Sequence, residues 1–213
     1  MEVLANKIAD KISEKLNLES EKRAVIAYGL LGILQVVTLF ILIAVLGIMT
    51  GTFYESFIIF FSVGFMRKST GGAHSRTMWG CNAVSVLSIL SLALLSRYVL
   101  GVPAVKSANV IITLAVFGVG FLIFYRKVPV DSPNKPITSP HKIKRLRKES
   151  YLKLVLLLAA TLLCIHFGEN VKRLYSISSS IRMAAVWQII TLTEIGAAFL
   201  NKIDAVIGRT LQL

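Results

Sequence analysis

The sequence predicts an all-α integral membrane protein, and three observations carry that prediction. Of its 213 residues, 55% are hydrophobic and only 16% charged, whereas a soluble domain usually carries about 25% charged residues. The apolar residues gather into about six hydrophobic segments, 25–49, 53–66, 81–100, 107–125, 151–167 and 183–200. Most are long enough to cross a hydrocarbon core of ~30 Å at roughly 1.5 Å per residue. The basic residues flank these segments instead of lining a recognition helix. The net charge of +13 therefore reads as membrane topology, with no nucleic-acid partner implied. The whole chain, 1–213, is read as a single membrane domain.

Residues 1–23 are polar and basic throughout, unlike a signal peptide. Leu4, Ile8, Ile12 and Leu16 recur every four residues, with Lys7, Lys11, Lys15, Asp10 and Glu14 on the other faces. That pattern predicts an amphipathic helix lying at the membrane surface. Segment 25–49 is almost unbroken apolar sequence with Gln35 as its one strongly polar side chain. Segment 53–66 is too short for a straight span; it is tilted, re-entrant or extended by its flanks. Four to six true spans follow. Ser85, Ser88 and Ser91 suit close helix contact in segment 81–100. Residues 126–150 are expected to form a basic cytoplasmic loop, because Pro129, Pro133, Pro136 and Pro140 oppose a helix in its first part. Glu194 lies within the sixth segment and is expected to face the bundle interior.

With six crossings and the N-terminus in the cytoplasm, 19 of the 24 Lys and Arg residues fall on the inner side and 5 on the outer. Arg182 is counted among the outer charges. The asymmetry puts both termini, 67–78 and 126–150 inside. The two cysteines, Cys81 and Cys164, have no CxxC spacing, and a disulfide between them is not expected. Cys164 sits among apolar neighbours near the outer end of the fifth segment and reads as a buried structural thiol.

The chemistry-bearing stretch is RKSTGGAHSRTMWGC, Arg67 to Cys81. A thiolate is a strong nucleophile and a histidine its usual base. On one continuous helix, His74 and Cys81 would share a face but stand ~10.5 Å apart. Hydrogen-bond reach is only ~2.6–3.2 Å. The backbone must therefore break near Gly71-Gly72, with His74 in a loop folded back over Cys81. Ser75 or Thr77 could then cap a helix whose positive end favours the thiolate of Cys81. Arg67, Lys68 and Arg76 add positive potential.

The arrangement Arg67, Gly72-Ala73-His74-Ser75, Cys81 resembles the core motif of the accessory gene regulator B (AgrB) family. A second likeness is VPVDSPNKPI, Val128 to Ile137, ahead of a basic stretch. The resemblance covers nearly the whole chain. It implies a membrane cysteine endopeptidase that removes the C-terminal tail of an AgrD-like precursor peptide and promotes its cyclisation to a thiolactone or lactone. The three scattered histidines, His74, His141 and His166, make a metal site unexpected, and no cofactor is expected. The resemblance makes Cys81 the nucleophile and His74 its base and acid. Gly71 and Gly72 then set the turn, and Arg67 holds the loop or binds a precursor carboxylate. Ser85, one turn beyond Cys81, faces the site or packs between helices. Glu55, Asp131, Gln35 and Glu194 remain candidates to orient His74. The run Lys142, Lys144, Arg145, Arg147, Lys148 serves topology and anionic membrane lipids, or docks an acidic precursor tail. Small-residue helix faces and the resemblance suggest a homodimer.

The competing reading is a small transporter or channel using Gln35, Gln188 and Glu194, with the His/Cys pair incidental; the inverted repeats that would support it are not visible. A non-catalytic membrane scaffold or sensor partner is the third. HExxH and GxSxG motifs are absent.

Overall fold

The computed structural model describes residues 1–73, 78–101, 106–130, 139–200 and 202, with Met78 and Trp79 described by backbone alone. Every long element among them is an α-helix: α1 (Glu2–Leu16), α2 (Ser20–Met49), α3 (Phe53–Thr70), α4 (Met78–Tyr98), α5 (Lys106–Lys127), α6 (Pro140–Phe167) and α7 (Arg173–Thr191). A short helix, α8 (Glu194–Leu200), follows α7 at 87°.

The polarity is arranged inside out, as a bilayer demands. α2, α4, α5 and α6 are long and apolar enough to cross a membrane, and α7 with α8 could make a fifth, broken span. The apolar helices expose large side chains such as Ile33, Ile48, Ile111, Leu122 and Leu163. The centre holds α3 and α7, packed on each other and on α4 and α6. Their buried faces carry Glu55, Ser56, Ser62, Ser69 and Thr70 on α3 and Ser176, Ser178, Ser179, Ser180, Arg182 and Gln188 on α7. Ile59, Val63 and Met66 of α3 join Ile43, Ile89, Phe117, Phe124 and Leu154 in the apolar core.

Four expectations are corrected: 126–150 as a loop, 183–200 as one helix, Arg182 as an outer loop charge and Glu194 as an inward-facing residue. In α1 the buried stripe is Ala5, Ala9 and Ser13, while Leu4 and Leu16 stay exposed. α1 folds back along α2, with Arg23 paired to Asp10 and the Thr38 hydroxyl 3.6 Å from the Met1 sulfur. Small side chains let two helices approach closely, so that stripe wins over the bulkier one. The helix stops at Asn17, whose left-handed φ of 47° is a conformation asparagine tolerates.

The short segment 53–66 is extended to Thr70. Ser69 and Thr70 each return a hydroxyl hydrogen bond of 3.1 Å to the Met66 carbonyl, and Arg67 and Lys68 suit a helix C-terminus.

The basic segment 126–150 is not a loop throughout. Pro140 stands at the start of α6, where its missing N–H costs nothing, and the basic run continues as helix into the span. α6 is 28 residues long, or roughly 42 Å, so its basic first turns project beyond a ~30 Å core.

The sixth segment, 183–200, is not one helix. α7 starts ten residues earlier, at Arg173, and turns sharply after Thr191. Its serine-rich start is helix-compatible because Ser178 and Ser180 bond back to the Tyr175 and Ser176 carbonyls, both at 2.8 Å. Arg182, counted at sequence level as a loop charge, is buried and donates to Asn109 Oδ1 (3.0 Å) and Ser179 Oγ (2.8 Å). Glu194 does not face the interior. It is 92% exposed and pairs with Lys127 at 3.1 Å.

Glu55 is buried near the start of α3, accepting from Ser176 Oγ at 2.8 Å and Arg97 at 3.5 Å. This cluster ties α3, α4 and α7 together at one end of the bundle. Glu55→Ala should lower stability by about 1–3 kcal/mol, because the buried Ser176 hydroxyl and the partly exposed Arg97 lose their shared acceptor. A lower thermal midpoint in detergent, with Cys81 alkylation unchanged, is the expected result. An unchanged midpoint would show that the cluster contributes nothing.

Candidate functional site

α3 and α4 run antiparallel, so the Glu55–Arg97 contact marks one end of the pair and Arg67 and Cys81 meet at the other. α4 is described from Met78, which puts Cys81 on its first described turn. Cys81 is a free, half-buried thiol. Cys81 lines a cavity of about 20 Å³, room for roughly one water. Arg67, Ala73, Val84, Ser85, Trp187, Thr191 and Leu200 line the rest. Burial disfavours the Arg67 charge, and an ionised Cys81 sulfur beside it favours that charge. Arg67 also donates to the Ala73 carbonyl, while its Nε has no partner. Arg67, Cys81 and Ser85 thus line one cavity.

α3 ends at Thr70, and the two following glycines have φ of 69° and 139°. No continuous helix therefore runs from Gly72 to Cys81. Both glycines are also close to neighbouring chain. A Cβ on Gly71 would stand 2.2 Å from the Val130 carbonyl oxygen, and one on Gly72 would stand 3.1 Å from Thr191 Oγ1. The turn is tied down from two sides. Val130 N donates to the Thr70 carbonyl at 2.8 Å, and Ala73 N donates to the Thr191 carbonyl at 2.9 Å. Gln188 Nε2 donates to Thr70 Oγ1 at 2.8 Å and to the Gly71 carbonyl at 2.9 Å.

His74, Ser75, Arg76, Thr77 and Asp131 lie outside the described residues. Of the other groups considered for orienting His74, Gln35 donates to Asn82 Oδ1 at 3.2 Å. Glu55 is 12 residues back along α3 from Arg67, roughly 18 Å away along the axis. Glu194 is turned outward to Lys127. Lys144 and Arg145 are exposed on the first turns of α6 and Lys142 is partly buried, at the bundle end shared with the turn. Arg147 donates from Nε to the Val128 carbonyl at 3.1 Å, which links the basic turns to the segment paired with Thr70. Among the described residues, no three His, Cys, Asp or Glu side chains converge as metal ligands would.

Val130, Trp187, Gln188, Thr191 and Leu200 escaped the sequence reading of the site. Gln188 was visible only as a polar residue in an apolar run, and nothing local tied it to a turn 117 positions away.

The fold and cavity define a multi-pass helical membrane protein with a thiol and a half-buried guanidinium gathered at one end of the bundle. The sequence comparisons make the class specific. Residues 5–192 match the family described as Accessory gene regulator B, and the chain belongs to that family. It is 30% identical over 213 residues to an AgrB-like protein of Clostridium perfringens strain SM101, covering 99% of this chain and all of that one. An AgrB-like protein of Clostridium acetobutylicum is 25% identical over 94% of this chain and 91% of its own. Protein FsrB of Enterococcus faecalis is 27% identical over 58% of this chain and 48% of its own. No solved structure gives a significant match. The family takes part in quorum-sensing peptide processing, broadly with an AgrD-type precursor.

Proposed function

We propose that the chain is a membrane cysteine endopeptidase that cleaves the C-terminal tail from an AgrD-like precursor and closes a thiolactone or lactone ring. The observation that supports this most is the setting of Cys81. It is a free thiol near a helix start, beside the Arg67 guanidinium, behind a glycine turn that interrupts the helix leading to it.

In this reading His74 accepts the Cys81 proton, and Sγ adds to the scissile carbonyl carbon. The adduct collapses with cleavage of the C–N bond. The tail leaves as an amine carrying the proton from His74, and a thioester remains on Cys81. A Cys or Ser side chain within the peptide, deprotonated by His74, then attacks that thioester. The C–S bond to Cys81 breaks, the ring closes and the thiol is restored. Exchange between two thiols is close to thermoneutral, so the outcome depends on keeping water away. The cavity's small volume and its Val84, Trp187 and Leu200 walls suit that task, and the precursor must displace side chains to enter. Ser85 is the proposed contact for the acyl group. Lys142, Lys144 and Arg145 are the proposed contacts for an acidic tail or for anionic lipid, on a cytoplasmic face.

The deciding experiment uses the reconstituted protein and a precursor whose ring-closing residue is replaced by alanine. The thioester should then accumulate, seen by intact mass as an adduct on Cys81. Tail release with no adduct on Cys81 at any time would sink the proposal.

A further inference from the structure

The turn that leads toward His74 is held by α7, a helix the catalytic motif does not contain. Gln188 is fully buried and its amide nitrogen donates to Thr70 Oγ1 and the Gly71 carbonyl. A carbonyl only accepts, so the amide is fixed in this orientation, and its Oε1 is left buried with no partner. Such an orphaned acceptor is costly and calls for a reason. The reason visible here is the turn: both donors serve the last residue of α3 and the first residue beyond it. Thr191, one turn later on α7, takes the Ala73 N–H on its carbonyl. The same helix end supplies Trp187 and Thr191 to the wall of the Cys81 cavity.

We propose that Gln188 is a positioning residue: it holds the turn 70–73 against α7 and so sets where the chain passes into His74 relative to Cys81. The inference rests on the cysteine-endopeptidase reading. A purely structural polar contact would join two helices. Gln188 instead spans the end of α3 and the first non-helical carbonyl beyond it, Gly71, three positions before the proposed base, from the helix that also walls the nucleophile.

The test compares wild type, Gln188→Met, Gln188→Glu and His74→Ala, all full length and in a Cys164→Ala background. Both Gln188 variants keep the side-chain length and lose the amide donors. Precursor cleavage should lose about 10- to 100-fold in kcat, as expected for a misplaced catalytic group, with KM little changed. The pH profile of Cys81 alkylation by iodoacetamide should move to that of His74→Ala. A normal kcat, or a loss of kcat with a wild-type alkylation profile, would overturn the positioning role. So would loss of the folded size-exclusion peak in both Gln188 variants, which would make the residue part of the core alone. Normal processing by Cys81→Ala would instead sink the endopeptidase reading, and alkylation, which needs no precursor, would still decide the role of Gln188.

Discussion

Cys81→Ala is expected to abolish precursor processing, a loss of about 10⁴-fold or more, because the proposed mechanism needs a thiolate and no other described residue lining the cavity offers one. Arg67 cannot act as a nucleophile, and the hydroxyls of Ser85 and Thr191 are far weaker nucleophiles than a thiolate at neutral pH. Cys81→Ser should be nearly as poor, since an alcohol is a far weaker nucleophile than a thiolate at neutral pH. His74→Ala should lose less, about 10²- to 10⁴-fold, because a cysteine ionises partly without help. Rates of tail release from reconstituted vesicles measure all three. Cleavage by Cys81→Ala within tenfold of wild type would require a different nucleophile. The Cys81 variants should keep close to the wild-type thermal midpoint, since the substitutions are small and Cys81 is in no disulfide.

Gly71→Ala is expected to be the most damaging small substitution in the turn. Its φ of 69° with ψ of −148° is a conformation that L residues adopt at a cost of about 1–3 kcal/mol. The added methyl would also sit 2.2 Å from a backbone carbonyl oxygen, which cannot swing aside as a side chain can. Segment 128–130 must then move away, and the Val130–Thr70 hydrogen bond, worth about 0.5–1.5 kcal/mol, goes with it. Together these predict a loss of about 2–4 kcal/mol and a severe fall in activity. Gly72→Ala meets a side-chain hydroxyl at 3.1 Å and should cost less stability. Thermal midpoints of the two variants in the same detergent provide the comparison. A Gly71 variant as stable as wild type would mean that the turn does not press on segment 128–130.

Much of this was legible in the sequence, for a physical reason. Lipid-facing helices carry their apolarity on every residue, so α2, α4, α5 and α6 could be read from local composition. The interior helices could not. α3 continues through Arg67-Lys68-Ser69-Thr70, and α7 begins with a serine-rich stretch; both read as loop until tertiary contacts bury them. Pro140 looked like a helix breaker and proved to be a helix start. At the candidate site, Arg67, the two glycines and Cys81 lie within fifteen residues, and helix arithmetic alone required a break between them. Gln188 and Val130 act on that break through hydrogen bonds to residues 118 and 60 positions away, which no local pattern reports.

The place of α7 in the chain sets a timetable. A ribosome delivers the thiol of Cys81 and the glycine turn more than a hundred residues before Gln188 and Thr191. Until that late helix inserts, Glu55 lacks its Ser176 partner, and the turn lacks its tethers to Gln188 and Thr191. A nascent chain would therefore carry its nucleophile early and assemble the surroundings last, so the site would stay idle through synthesis and become competent only when the bundle closes.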